Sequence, residues 1–273
     1  MEDKELKYRQ IRYFGFWTFG SLLLLLISRW WGNNLLSQLG EPAFISPEID
    51  NTFWIIHALK IPQTIMYSEP LRILMDIILF TLTIACIVIY KKRIPSIILL
   101  IVLFVYVITQ QSYTANHTKT AAALCFIIIP FCVPIHRFDY VWQAVRYYLL
   151  FVMVSASLFK LFNGALFDSH HFSDILFLQH LDLRILEPKS LIFDFSSFLM
   201  RHNWLSYILF LLLFFTQLSF IIGFFTKKYD RLLLVLLGVF LLFTYLIMRI
   251  QNFDLLILGV TLLKSRDLNF TND

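Results

Sequence analysis

Residues 204–225 read WLSYILFLLLFFTQLSFIIGFF, and residues 231–249 read RLLLVLLGVFLLFTYLIMR. Each run is near 20 residues long and almost free of charge. That is the length an α-helix needs to cross about 30 Å of hydrocarbon at 1.5 Å per residue. A transmembrane β-barrel would instead show short alternating segments. Working outward, similar runs recur at 71–90, 95–113, 117–135 and 141–162, and a first one follows Phe14. The predicted fold is all-α: a polytopic helix bundle of about seven spans plus a re-entrant or interfacial segment, forming one membrane domain over 1–273 with no separate soluble part.

Composition agrees with this reading. The 273 residues are 59% hydrophobic and 15% charged, whereas a soluble domain carries about 25% charge. The net charge of +5 would raise the question of nucleic acid in a soluble protein. Here the positive residues flank apolar runs, where they set topology and attract anionic lipid. No basic, aromatic-interleaved surface is present for nucleic acid. Cys86, Cys125 and Cys132 all fall in apolar runs without a CxxC pair, so neither thiol-redox chemistry nor zinc is expected.

Residues 1–12 are polar and basic and lead into Phe14–Ser28 as a signal peptide would. The run ends in Arg29-Trp30-Trp31 rather than small residues, which favours an uncleaved first span. Residues 32–70, with Pro42, Pro47, Glu48, Asp50, Lys60 and Pro62, read as an external loop holding an interfacial piece. The other long connection, 163–203, holds Asp168, His170, His171, Asp174, His180 and Asp182. A loop of that length is more often functional or a folded cap than a linker. The apolar piece 252–263 is too short to cross unless its helix begins near Arg249, which leaves the side of the C-terminus open.

Lys4, Lys7, Arg9 and Arg12 share one side with the basic turns at Lys91–Arg93, Arg137 and Lys227–Arg231. The opposite, longer loops have Lys60, Lys119, Arg184, Lys189 and Arg201. The positive-inside rule therefore predicts a multi-pass protein of the cell membrane with a cytoplasmic N-terminus.

That topology gathers polar residues at the outer end. Asp76, Gln111, His117, Arg249 and the pair Lys160 and Asn163 come from separate spans, while Gln217 stands near mid-bilayer. Ionisable groups inside a bundle are costly and usually face a cavity or a partner. Each also has a plainer reading. Lys160 can snorkel to the headgroups, Asp76 can pair structurally with Arg249, His117 can sit at a span entry, and Gln217 can join helices. His170 and His171 read as ordinary loop residues, and no metal-binding spacing accompanies them. Polar residues gathered at one end, rather than at the midplane between repeats, argue against a small-solute transporter.

Three stretches carry a family resemblance. YLLFVMVSASLFKLFNGALFDSHHFSD at 148–174 resembles the lysine-bearing helix of the vitamin K-dependent γ-carboxylase and the HTTM (horizontally transferred transmembrane) proteins. YTANHTKTAAALCFIIIP at 113–130 is similar to their Asn-His entry to a span ending in proline. QLSFIIGFFTKKYDR at 217–231 is similar to a segment shared with the more distant DoxX-like proteins. The resemblance implies a quinone or hydroquinone of the menaquinone or vitamin K type as cofactor and no metal. It puts Lys160 on the catalytic base position and His117 on the histidine that holds the reacting oxygens. Asp76, Gln111, Asn163, Gln217 and Arg249 would line the surrounding pocket. An amine kept from water is harder to protonate, so its neutral form can act as a base.

The pattern departs in places. Ser157 stands where many relatives have glycine, and no histidine lies near the last span. The sequence stops at Asp273 without a large extramembrane domain, so carboxylation of protein glutamate is not expected. Two readings follow: a quinone-linked membrane enzyme, or a non-catalytic maturation factor. The second would serve a secreted peptide or pair with another membrane or soluble subunit.

Overall fold

The computed structural model describes residues 2–39, 58–113, 121–180, 191–248 and 254–263. Among these every regular element is helical. Five helical stretches are long and apolar enough to cross a membrane: Glu5–Gln38, Glu69–Val88, Ile135–Phe162, Asn203–Phe225 and Asp230–Met248. The chain forms two compact units, 1–145 and 146–273, divided within the helix Phe138–Phe162.

In the first unit, α1 (Glu2–Trp31) is one continuous helix that takes in the polar N-terminal residues. A 3-10 turn, Leu36–Gln38, follows it. Within 58–70, where an interfacial piece was expected, lies the six-residue helix α2 (Ile61–Met66), with Pro62 near its start and Pro62, Ile65 and Met66 buried. Next come α3 (Glu69–Val88) and α4 (Ile94–Tyr113), with α1 and α4 both packed against α3.

The span expected over 117–135 is not a single helix. Its described part consists of two short pieces, α5 (Ala121–Phe126) and α6 (Ile129–Cys132). Pro130 explains the break: it has no N–H to donate, and its ring clashes with the carbonyl four residues back, at Phe126. Where about seven spans were expected, five stretches long and apolar enough to cross are found among the described residues. An aromatic cluster fills the core beside the break. Phe14 lies 4.4 Å from Trp142, and Phe131 lies 5.4 Å from Phe138, between ring centroids. α7 (Phe138–Phe162) then passes into the second unit.

There the 163–203 connection is largely helical where described. It holds α8 (His171–Gln179) and α9 (Leu191–Arg201), which pack on each other and on α10 (Asn203–Leu218). α10 continues through a 3-10 turn into α11 (Ile222–Phe225) and is followed by α12 (Asp230–Met248). The last apolar piece is the short α13 (Asp254–Gly259) with a 3-10 turn to Leu262. Its residues are mostly buried, and it packs on α12.

The core of this unit holds an ion pair. Arg146 is fully buried, and its guanidinium donates to both carboxylate oxygens of Asp230 (2.8 and 2.5 Å) and to the Gly223 carbonyl (2.9 Å). It ties α7, α11 and the first turn of α12 together. Gly223 is required by the close approach of these helices. A Cβ there would lie 2.6 Å from Leu150 Cδ2 and 3.0 Å from Leu233 Cδ1, both on buried side chains. Gly223→Ala is therefore expected to cost about 1–3 kcal/mol by overpacking. Unfolding of the purified variant in mixed micelles measures this loss.

Candidate functional site

The site is built at the end of α7. Lys160 lies in its last turn, and the helix stops because Gly164 takes the left-handed conformation (φ 74°), which suits a residue without a Cβ. The chain turns back through Ala165–Phe167, and Asp168 Oδ1 accepts the His170 amide at 2.9 Å, leading into α8.

α10 meets the end of α7 and the start of α8 through two side chains. Phe210 and Gln217 are seven residues apart and so share a helix face, and both are buried. The Lys160 ammonium or amine nitrogen donates to Gln217 Oε1 and lies 6.0 Å from the Phe210 ring centroid. His171 meets the same ring edge-on at 5.5 Å. A hollow of about 190 Å³ adjoins the lysine, lined by Phe159, Lys160, Asn163, Gly164, Ala165, Asp168 and His171. The cap is braced from α10: Asn203 contacts His170 Nδ1 (2.8 Å) and accepts from Ser173 Oγ (3.2 Å), and Tyr207 Oη donates to the Leu166 carbonyl (2.7 Å).

The half-buried Lys160 is thus turned into its unit, not splayed outward to snorkel. Its nitrogen donates to one fixed oxygen, beside a hollow that a second oxygen-bearing group can enter. An aromatic face, an amide and a carboxylate complete the lining. Such a set can bind a polar ring head and exchange a proton with it.

Of the residues expected to meet Lys160, Asn163 lines the same hollow and Gln217 is its hydrogen-bond partner. His117 and Arg249 lie outside the described residues, and Gln111 belongs to α4 without a described side chain. Asp76 has a separate role in the first unit. Its carboxylate accepts from Tyr106 Oη (2.8 Å) and the Ser37 amide (2.9 Å), and Tyr106 Oη in turn accepts the Leu36 amide (3.2 Å). Nearby, Arg29 donates to Gln110, whose amide donates to the Asn34 carbonyl, and Arg72 donates to the Leu39 carbonyl. These contacts hold the turn after α1 against α3 and α4, and Asp76 is a structural acceptor there. Tyr106→Phe leaves the buried Leu36 amide unpaired and removes one donor from Asp76, which should cost about 1–3 kcal/mol. The readout is again the unfolding midpoint.

Asp168 and His171 read as loop residues in the sequence, yet they line the hollow. Phe210 was equally hidden, with only its seven-residue offset from Gln217 as a signal.

Fold and site together define a helical protein with five stretches fit to cross a membrane and a lysine-centred hollow in its second unit. Compared with family models, curated proteins and solved structures, the chain matches none.

Proposed function

We propose that this chain is a multi-pass protein of the cell membrane, with a cytoplasmic N-terminus, that binds the ring of an isoprenoid quinone or hydroquinone beside Lys160. The bias of Lys and Arg toward the N-terminal side of the spans supports the orientation. The resemblance of 148–174 to HTTM and vitamin K-dependent carboxylase-like proteins supports the ligand class and the lysine as base. The observation that carries the reading is the inward-turned amine, held by Gln217 and Phe210 at the edge of a 190 Å³ hollow. That volume lies below the roughly 300–1,000 Å³ of drug-sized pockets. It suits a single ring system, with the isoprenoid tail left in lipid.

In this role the neutral amine takes a proton from a hydroquinone O–H, giving an ammonium and a quinolate. Asn163, which lines the hollow, orients the oxygens. Purification with native lipid, followed by quinone extraction, tests the proposal. Quinone is expected with the wild-type chain and depleted in Lys160→Met. A wild-type chain that carries no quinone and binds no added menaquinone overturns it.

A further inference from the structure

α9 (Leu191–Arg201) buries a serine and exposes an apolar stripe. Ser196 and Leu199 are buried, with the serine hydroxyl satisfied by the Phe193 carbonyl at 3.0 Å. Leu191, Phe195 and Phe198 are 85%, 50% and 48% exposed. At about 100° per residue these three fall within an arc of about 60°. The exposed Asp194 and Arg201 lie along one edge of that arc. Its eleven residues span about 16 Å at 1.5 Å per residue, roughly half the hydrocarbon thickness. The helix cannot cross, and in water its stripe would be a costly apolar patch.

Its surroundings decide what covers it. After a single-residue break at His202, α10 carries Trp204, 64% exposed, in its first turn and continues an exposed apolar stripe through Ile208, Leu212 and Phe215. Tryptophan at the end of an apolar helix is typical of the membrane–water boundary. α8, packed on α9, also exposes apolar side chains, Phe177 and Leu178, which flank the exposed Asp174.

We infer that α9, with the end of α8, lies in the headgroup–acyl boundary of a phospholipid leaflet. Leu191, Phe195 and Phe198 enter the acyl region, while Asp194 and Arg201 remain among headgroups and water. Such a helix has an apolar face in lipid and a charged edge toward the polar side. The inference rests on the membrane reading but not on the quinone chemistry. It makes the cap beside the Lys160 hollow a lipid-bathed element.

Nitroxide labels test it in the full chain, with Cys86, Cys125 and Cys132 replaced by Ala, in vesicles of phosphatidylethanolamine and phosphatidylglycerol. Labels at 191, 195 and 198 are expected to collide several-fold more with oxygen than with a water-soluble nickel chelate, and labels at 194 and 201 the reverse. Free access of the chelate to 195 and 198 overturns the inference. So does shielding of both positions from both reagents, the mark of a second copy or a partner protein. Labels at 208 and 212 separate the two levels. Lipid exposure there with water exposure at 195 and 198 sinks this inference alone, whereas water exposure at all four sinks the membrane reading too. Photoreactive acyl chains applied to the wild-type chain give an answer free of substitutions. Adducts are expected on the 191–201 peptide as well as on 203–218, and adducts on 203–218 alone overturn the inference.

Discussion

Arg146→Met is expected to destabilise the chain by about 3–5 kcal/mol, because it leaves the Asp230 carboxylate buried without its counter-charge. Arg146 is fully buried and Asp230 nearly so, and the pair is bidentate. The same guanidinium also satisfies the carbonyl of Gly223, so one substitution loosens three helical elements together. Coulomb attraction in a low-dielectric interior is large, but the desolvation of both charges nearly offsets it. The pair as a whole therefore contributes much less than the loss of either half. Arg146→Met combined with Asp230→Leu is expected to recover most of the single-variant loss, whereas Asp230→Leu alone is not. Unfolding midpoints of the three variants in mixed micelles decide the matter. A double variant as unstable as the sum of the singles would show that packing, rather than uncompensated charge, governs this part of the core.

The long helices were legible because an apolar run announces its own length. The runs read at 71–90, 95–113, 204–225 and 231–249 correspond to helical stretches Glu69–Val88, Ile94–Tyr113, Asn203–Phe225 and Asp230–Met248. The break near Ile127 was harder to see. Proline is tolerated in many membrane helices, so Pro130 alone did not determine whether 117–135 would bend or stop. The helices of the cap escaped for another reason. α9 puts serine inside and phenylalanine outside, and a pattern read for burial from water assigns those faces the wrong way round.

Lys160, Asn163 and Gln217 are legible as members of the site, but their pairings are not. Lys160 and Gln217 stand out as polar interruptions in apolar runs, which the cost of burying them makes conspicuous. Their hydrogen bond joins residues 57 positions apart, and no local periodicity encodes such a meeting. Asp76 is visible for the same reason, and the sequence reads it either as a pocket residue or as a structural partner of Arg249. Its actual partners, a tyrosine hydroxyl and a backbone amide, are groups that a search for charged residues passes over. Arg146 interrupts the apolar run 141–162 in the same way, while Asp230 sits inside the basic turn Lys227–Arg231, which reads as solvent-exposed.

Lys160→Met is expected to separate binding from proton transfer. On the proposed reading the amine has two tasks: it donates to an oxygen of the bound ring, and in neutral form it accepts a proton from hydroquinone. A hydrogen bond involving a charged group contributes about 1.5–3 kcal/mol, so methionine, similar in bulk but unable to donate, should weaken menaquinone binding by about tenfold to a hundredfold. Loss of a positioned base costs a further factor of about 10²–10⁴ in the proton-transfer step. That step is visible as the rise of quinolate absorbance after anaerobic mixing with a hydroquinone. Lys160→Arg distinguishes the two tasks, because guanidinium donates well but stays protonated and cannot serve as the base. It should bind within about tenfold of wild type yet lose proton transfer as fully as Lys160→Met. Gln217→Leu removes only the group that holds the amine, so it should leave Lys160 able to act and reduce the rate less than either lysine variant. Should all three variants bind and deprotonate hydroquinone as the wild type does, the amine plays no part in the chemistry. The hollow beside it would then belong to the packing of the cap.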